Sequence, residues 1–120
     1  MALYKSLPVY KAIYNLLLSV QRLMPNLPRD VRYTIGQSLT KLLMDMILQV
    51  YETNLSRDKS PFIRQNRKML VEAETTIRIL CDLHHISEGQ YAMLIEQSES
   101  ISRQLAAWDR SQNDNKPQQG

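Results

Sequence analysis

SPFIRQNRKMLVEAETTIRILCDLHHI, residues 60–86, carries the pattern that decides the fold. Ser60 followed by Pro61 reads as an N-cap with proline in the first helical turn, where a missing N–H does no harm. Beyond it, Ile63, Asn66, Leu70, Ala73, Ile77, Leu80 and His84 recur at steps of three and four. That spacing lines one helix face and predicts coiled-coil-like packing against other helices. A helix is predicted over 60–86.

The same alternation extends in both directions. Downstream, Ser87-Glu88-Gly89-Gln90 reads as a capping box, and Tyr91, Leu94, Ser98, Ile101, Leu105 and Trp108 predict a helix over 88–109. Upstream, Val31, Ile35, Leu39, Leu42, Met46 and Val50 predict a helix over 31–53, and Leu43, Ile47 and Tyr51 widen its apolar arc. An arc this wide can face its own bundle and another subunit. Val9, Ile13, Leu16, Val20 and Leu23, flanked by Ala12 and Leu17, predict a first helix over 8–24, closed by Pro25 and Pro28. No segment alternates with period two. The expectation is an all-α, up-down-up-down antiparallel four-helix bundle over 1–110, with a polar, disordered tail over 111–120.

The start of the second helix is unusual. Asp30 suits an N-cap, but Arg32 brings a positive charge to the first turn, where the helix dipole disfavours it. Gly36 within a helix costs about 1 kcal/mol relative to alanine. Two local penalties point to a close contact or a binding surface.

The formal net charge is +3, and it is unevenly placed. Residues 1–68 hold eleven Lys or Arg against four Asp or Glu; residues 69–120 hold four against eight. The asymmetry suits a polyanion or an acidic partner, although antiparallel helices would mix the two halves. No apolar run approaches the roughly 18 residues that span a bilayer. Met1-Ala2-Leu3-Tyr4-Lys5-Ser6 lacks the layout of a secretory signal, and Cys81 is the single cysteine, so a cytoplasmic protein is expected.

Chemistry is scarce. His84 and His85 are adjacent and diverge on a helix, and no metal-ligand spacing accompanies them. Cys81 reads as a small buried hydrophobe, and three scattered glycines build no phosphate loop. No catalytic residue, metal or cofactor is expected. Surface remains. Arg64, Lys68, Thr75 and Arg78 share one face of the third helix with Val71, and Arg67 lies beside them. Arg57 and Lys59 precede that helix, and the topology brings Arg103 and Arg110 to the same end; Arg22, Arg29 and Arg32 gather at the other. Guanidinium forks suit phosphate oxygens. The competing reading is a solvated face held by Lys68–Glu72 and Glu74–Arg78 pairs. Six tyrosines suit subunit interfaces or the rim of a monomeric core.

The run Arg32-Tyr33-Thr34-Ile35-Gly36-Gln37, after a proline-rich turn, resembles the second helix of the accessory variability determinant proteins of diversity-generating retroelements. So do Ile86-Ser87-Glu88-x-x-Tyr91 and Ile101-x-Arg103-Gln104-Leu105-Ala106-Ala107-Trp108. The resemblance covers residues 7–109, and a broader relative is the bundle family encoded in intervening sequences of ribosomal RNA genes. Ser102, Ala106 and Ala107 stand where the family often has glycine. The resemblance implies a noncatalytic, homopentameric barrel in a bacterial host cell. It implies binding to a reverse transcriptase and to RNA and DNA in mutagenic retrohoming. Arg32 and Arg103 are the basic residues within its motifs; Tyr33, Gly36 and Trp108 would serve packing between helices or subunits. The alternative is a structural homo-oligomer acting only through protein–protein contacts.

Overall fold

The computed structural model describes residues 3–114. A short 3-10 turn, Tyr4–Ser6, leads into α1, Pro8–Leu23, and a second one, Met24–Asn26, follows it. The next helix, α2, is continuous over 29–55 but not uniform: an α turn, Arg29–Val31, a π turn, Arg32–Gly36, and an α-helix, Gln37–Leu55. Helix α3 is Ser60–Asp82 and α4 is Glu88–Asp114. No strand occurs among the described residues.

Each helix packs on two neighbours: α1 on α2 and α4, α3 on α2 and α4. Short connections reverse the chain each time, so the four form a closed antiparallel bundle measuring 56 × 21 × 20 Å. The predicted stripes meet at its centre. Ile13 and Leu16 of α1, Leu39, Met46 and Val50 of α2, Ile63 and Ile77 of α3, and Leu94, Ile101 and Leu105 of α4 are all within 1% of complete burial. Each such side chain contributes about 1.5–3 kcal/mol of burial. Asn66 occupies a stripe position and is fully buried; its Nδ2 donates to the Met46 carbonyl at 3.3 Å, tying α3 to α2. A polar group there penalises sliding of one helix along the other.

The ends of the helices depart from expectation. Asp30 does not cap α2: the helix starts at Arg29, two residues before the predicted Val31, Pro28 occupies the cap position, and Asp30 lies in the first turn. Ser60 does not cap α3 either. Its own N–H donates to Asp58 Oδ1 at 3.3 Å, and its hydroxyl is buried without a partner. The Lys59 ammonium closes α2 instead, donating to the carbonyls of Thr53, Asn54 and Ser56 at 3.0, 3.2 and 2.6 Å. A cation at a helix C-terminus also opposes the negative end of the dipole.

Helix α3 stops at Asp82, four residues short of the predicted end, because His84 adopts a left-handed conformation with φ 62°. The His84 N–H then donates to the Cys81 carbonyl and the His85 N–H to the Leu80 carbonyl, both at 2.9 Å, which turns the chain out of the helix. His84 is exposed and takes no part in the core stripe that predicted it. The Ser87 capping box is present: Gln90 N–H donates to Ser87 Oγ at 3.0 Å, and Ser87 N–H donates to Gln90 Oε1 at 2.8 Å. Helix α4 then runs four residues into the segment read as tail; residues 115–120 lie outside the described residues.

Candidate functional site

The bundle sorts the predicted basic residues into two groups at opposite ends. Arg57, Arg64, Arg67 and Lys68 lie where α2 turns into α3, and Arg103 projects from the outer side of α4 nearer that end. Arg22, Arg29 and Arg32 lie at the α1–α2 turn, and Arg78 is near that end of α3. At about 1.5 Å per residue, the 23 residues of α3 set the two ends roughly 35 Å apart. No single patch joins them.

Several of these side chains already have partners. Arg32 is the clearest case. Its Nε donates to the Met24 carbonyl at 3.1 Å, and its Nη2 donates to the carbonyls of Pro25 and Leu27 at 3.2 and 3.1 Å. The π turn takes in an extra residue as α2 begins, and the guanidinium reaches back over the preceding turn. Arg32, expected to contact phosphate, is a clamp on that turn. Arg67 faces Asp109 of α4 at 3.8 Å, and the two share a shallow hollow with Arg64, Lys68 and Val71. Arg78 pairs with Asp82 at 3.1 Å. Hydrogen bonds to the Asp82 carboxylate, then to the Tyr91 hydroxyl, raise its pKa above the usual guanidinium range. The Lys68–Glu72 and Glu74–Arg78 pairs named in the competing reading do not form. Among the described residues, Arg22, Arg57, Arg64, Lys68 and Arg103 make no hydrogen bond or ion pair and stay free for an outside anion.

A second surface runs along the outside of α2. Tyr33, Met44, Leu48, Tyr51 and Leu55 are between 41% and 58% exposed. The last four are spaced four, three and four apart, the same alternation that builds the core, but here on the solvent side. Sequence periodicity picked out Leu43, Ile47 and Tyr51 as the widening of the arc. Leu43 is buried and Ile47 half-buried, while Met44, Leu48 and Leu55 carry the exposed stripe. The aromatic rings extend it onto α1. Tyr4 meets Tyr51 edge-on at 5.1 Å and Tyr10 edge-on at 5.6 Å, and Tyr10 stacks on Tyr14 at 6.2 Å.

Gly36 and Trp108, expected at packing contacts, pack within the chain. A Cβ on Gly36 would stand 2.7 Å from Met24 Sδ and 2.9 Å from its Cε, so glycine lets the α1–α2 turn close on α2. Trp108 leans on the core and, with Leu7, Pro8, Val9, Gln104 and Ala107, lines an apolar hollow of about 260 Å³ between α1 and α4. Tyr33 stands apart, beside a groove of about 810 Å³.

Among the described residues no group of three or more His, Cys, Asp or Glu could hold a metal ion, and no helix is long and apolar enough to cross a membrane. Cys81 is half-buried and unpaired. Fold and surface together define a four-helix bundle with an exposed apolar helix face and separate free cationic groups. No family model matches the chain, and no curated protein matches it.

Proposed function

We propose that this chain is a noncatalytic accessory subunit of a diversity-generating retroelement. In this reading it self-associates through the outer face of α2 and presents its free cations to template RNA, cDNA and the reverse transcriptase. The observation that carries it is the exposed stripe of Met44, Leu48, Tyr51 and Leu55. Contiguous exposed apolar side chains mark an interaction site, and knob spacing on a helix asks for another helix. A second copy supplies one with the same spacing. A homopentamer, which the family resemblance implies, would repeat Arg57, Arg64, Lys68 and Arg103 around a ring and so add up modest charge per chain. Such a ring would hold RNA near the polymerase, raising their effective concentration.

The test is RNA binding by fluorescence anisotropy across a salt series, with the Arg64→Glu/Lys68→Glu variant beside the parent protein. Affinity that falls steeply with salt, and again in the variant, is the expected result. Unchanged binding in the variant removes the α3 face from the account. The structural-oligomer reading has its own support, since Arg32, Arg67 and Arg78 are spent on internal partners. It predicts capture of the reverse transcriptase with no affinity for RNA alone.

A further inference from the structure

We infer that the groove between the end of α1 and the start of α2 is a stacking site for an unpaired nucleobase, with the Tyr33 ring as its platform. The inference rests on the nucleic-acid reading above and adds a way of telling single strands from duplex.

Three observations converge on this groove. First, Tyr33 is 54% exposed although it belongs to a helix whose other face is core. It lies in the π turn, and the Arg29 guanidinium sits over its ring, 5.9 Å from the centroid. A cation at this distance over one face of an exposed ring is a weak contact and leaves a π surface for another planar group. Second, the groove is open to solvent and offers about 810 Å³, room for a planar base to lie against the ring from outside. Third, its lining sets the amides and hydroxyls of Gln21, Thr34, Gln37, Ser38 and Thr40 beside the Met24 side chain and the Lys41 ammonium, with no carboxylate. The Gln37 and Ser38 side chains are exposed and make no hydrogen bond among the described residues, while the Gln21 amide is fixed by donating to Thr40 Oγ1 at 2.7 Å. The Lys41 ammonium lines the groove and is shared with Asp45 at 3.1 Å.

This is the chemistry of single-strand recognition. An aromatic platform takes the face of any base, amides and hydroxyls meet its edge, and nearby cations take the phosphates. Arg29, over the Tyr33 ring, stands at the groove for that last role, and Arg22, exposed and unpaired, follows Gln21 at the end of α1. The outer face of α2 therefore changes character along its length. Around Tyr33, Gln37 and Ser38 it is polar; from Met44 to Leu55 it is apolar. The two halves suit different occupants.

The test uses end-labelled oligouridine, oligodeoxyuridine and a fully paired RNA duplex of equal length, read by anisotropy against parent protein, Tyr33→Ala and Tyr33→Phe. Loss of a stacked base predicts a five- to hundred-fold drop, as an order of magnitude, in single-strand affinity for Tyr33→Ala. Tyr33→Phe keeps the platform and should keep affinity. Duplex binding and the salt slope should stay put, because no phosphate contact is removed. A Tyr33→Trp/Trp108→Phe variant should show tryptophan fluorescence quenched by either single strand and not by the duplex. Equal affinity for the two single strands assigns recognition to the base alone; preference for RNA adds a contact to the 2′-hydroxyl. Unaltered single-strand affinity in Tyr33→Ala, with RNA still bound, overturns the inference and leaves the nucleic-acid reading standing. A fall in solution mass in Tyr33→Ala would make Tyr33 a subunit contact and also overturn it. Parent protein that binds no RNA at low salt would overturn both.

Discussion

Replacing Arg32 separates a structural cation from a phosphate contact. Its guanidinium donates to three carbonyls of the turn between α1 and α2 at 3.1, 3.2 and 3.1 Å. Hydrogen bonds with a charged partner contribute about 1.5–3 kcal/mol each. Water reaches this half-buried turn and would replace part of that, so about 3 kcal/mol in total is the expected loss for Arg32→Ala. Lysine offers one ammonium in place of a planar fork, and Arg32→Lys should lose about half as much. Urea unfolding, followed by circular dichroism at one fixed protein concentration, reads the effect. With a slope of about 2 kcal/mol per molar, the midpoint should fall by about 1.5 M for alanine and 0.7 M for lysine. Arg22→Ala, at an exposed and unpaired position, should move it by less than about 0.3 M. RNA affinity of folded Arg32→Ala should match the parent protein. Midpoints within 0.3 M of the parent for both Arg32 variants, together with lost RNA affinity, would refute the reasoning.

Three further outcomes follow from particular contacts. His84→Gly relieves a left-handed residue at the end of α3 and should raise stability by about 1 kcal/mol, seen as a melting temperature about 4 °C higher. Gly36→Ala should be close to neutral in urea midpoint, because the mobile end of Met24 can swing aside while alanine regains about 1 kcal/mol of helix propensity; Gly36→Val should cost about 2 kcal/mol. Leu48→Glu places a charge in the middle of the exposed α2 stripe and should lower the mass in solution by light scattering without lowering helix content by circular dichroism.

The core was legible because burial obeys helix periodicity. Ile63, Asn66, Leu70, Ala73, Ile77 and Leu80 were read at steps of three and four, and all are buried. His84 shows where that logic stops: periodicity carries a stripe forward but does not register a backbone that has turned left-handed. Arg32 shows a second limit. Its unfavourable place in the first turn correctly marked a special contact, but the partners are carbonyls behind it, reached through a π turn that spacing rules do not foresee. Charge pairing meets a similar limit. Arg78 pairs with Asp82, also four residues away, and Arg67 reaches Asp109 on another helix. Local spacing names the possible pairs, while tertiary packing chooses among them. Met44, Leu48 and Leu55 could have been found by asking whether α2 bears a second apolar stripe; the wide arc was the signal.

The most direct test of the account is light scattering of the purified protein with and without single-stranded RNA, at roughly 50 and 200 mM salt. The account predicts a particle near five times the 14.0 kDa chain mass that gains RNA at the lower salt and sheds it at the higher. A 14.0 kDa monomer that carries no RNA at either salt would contradict it.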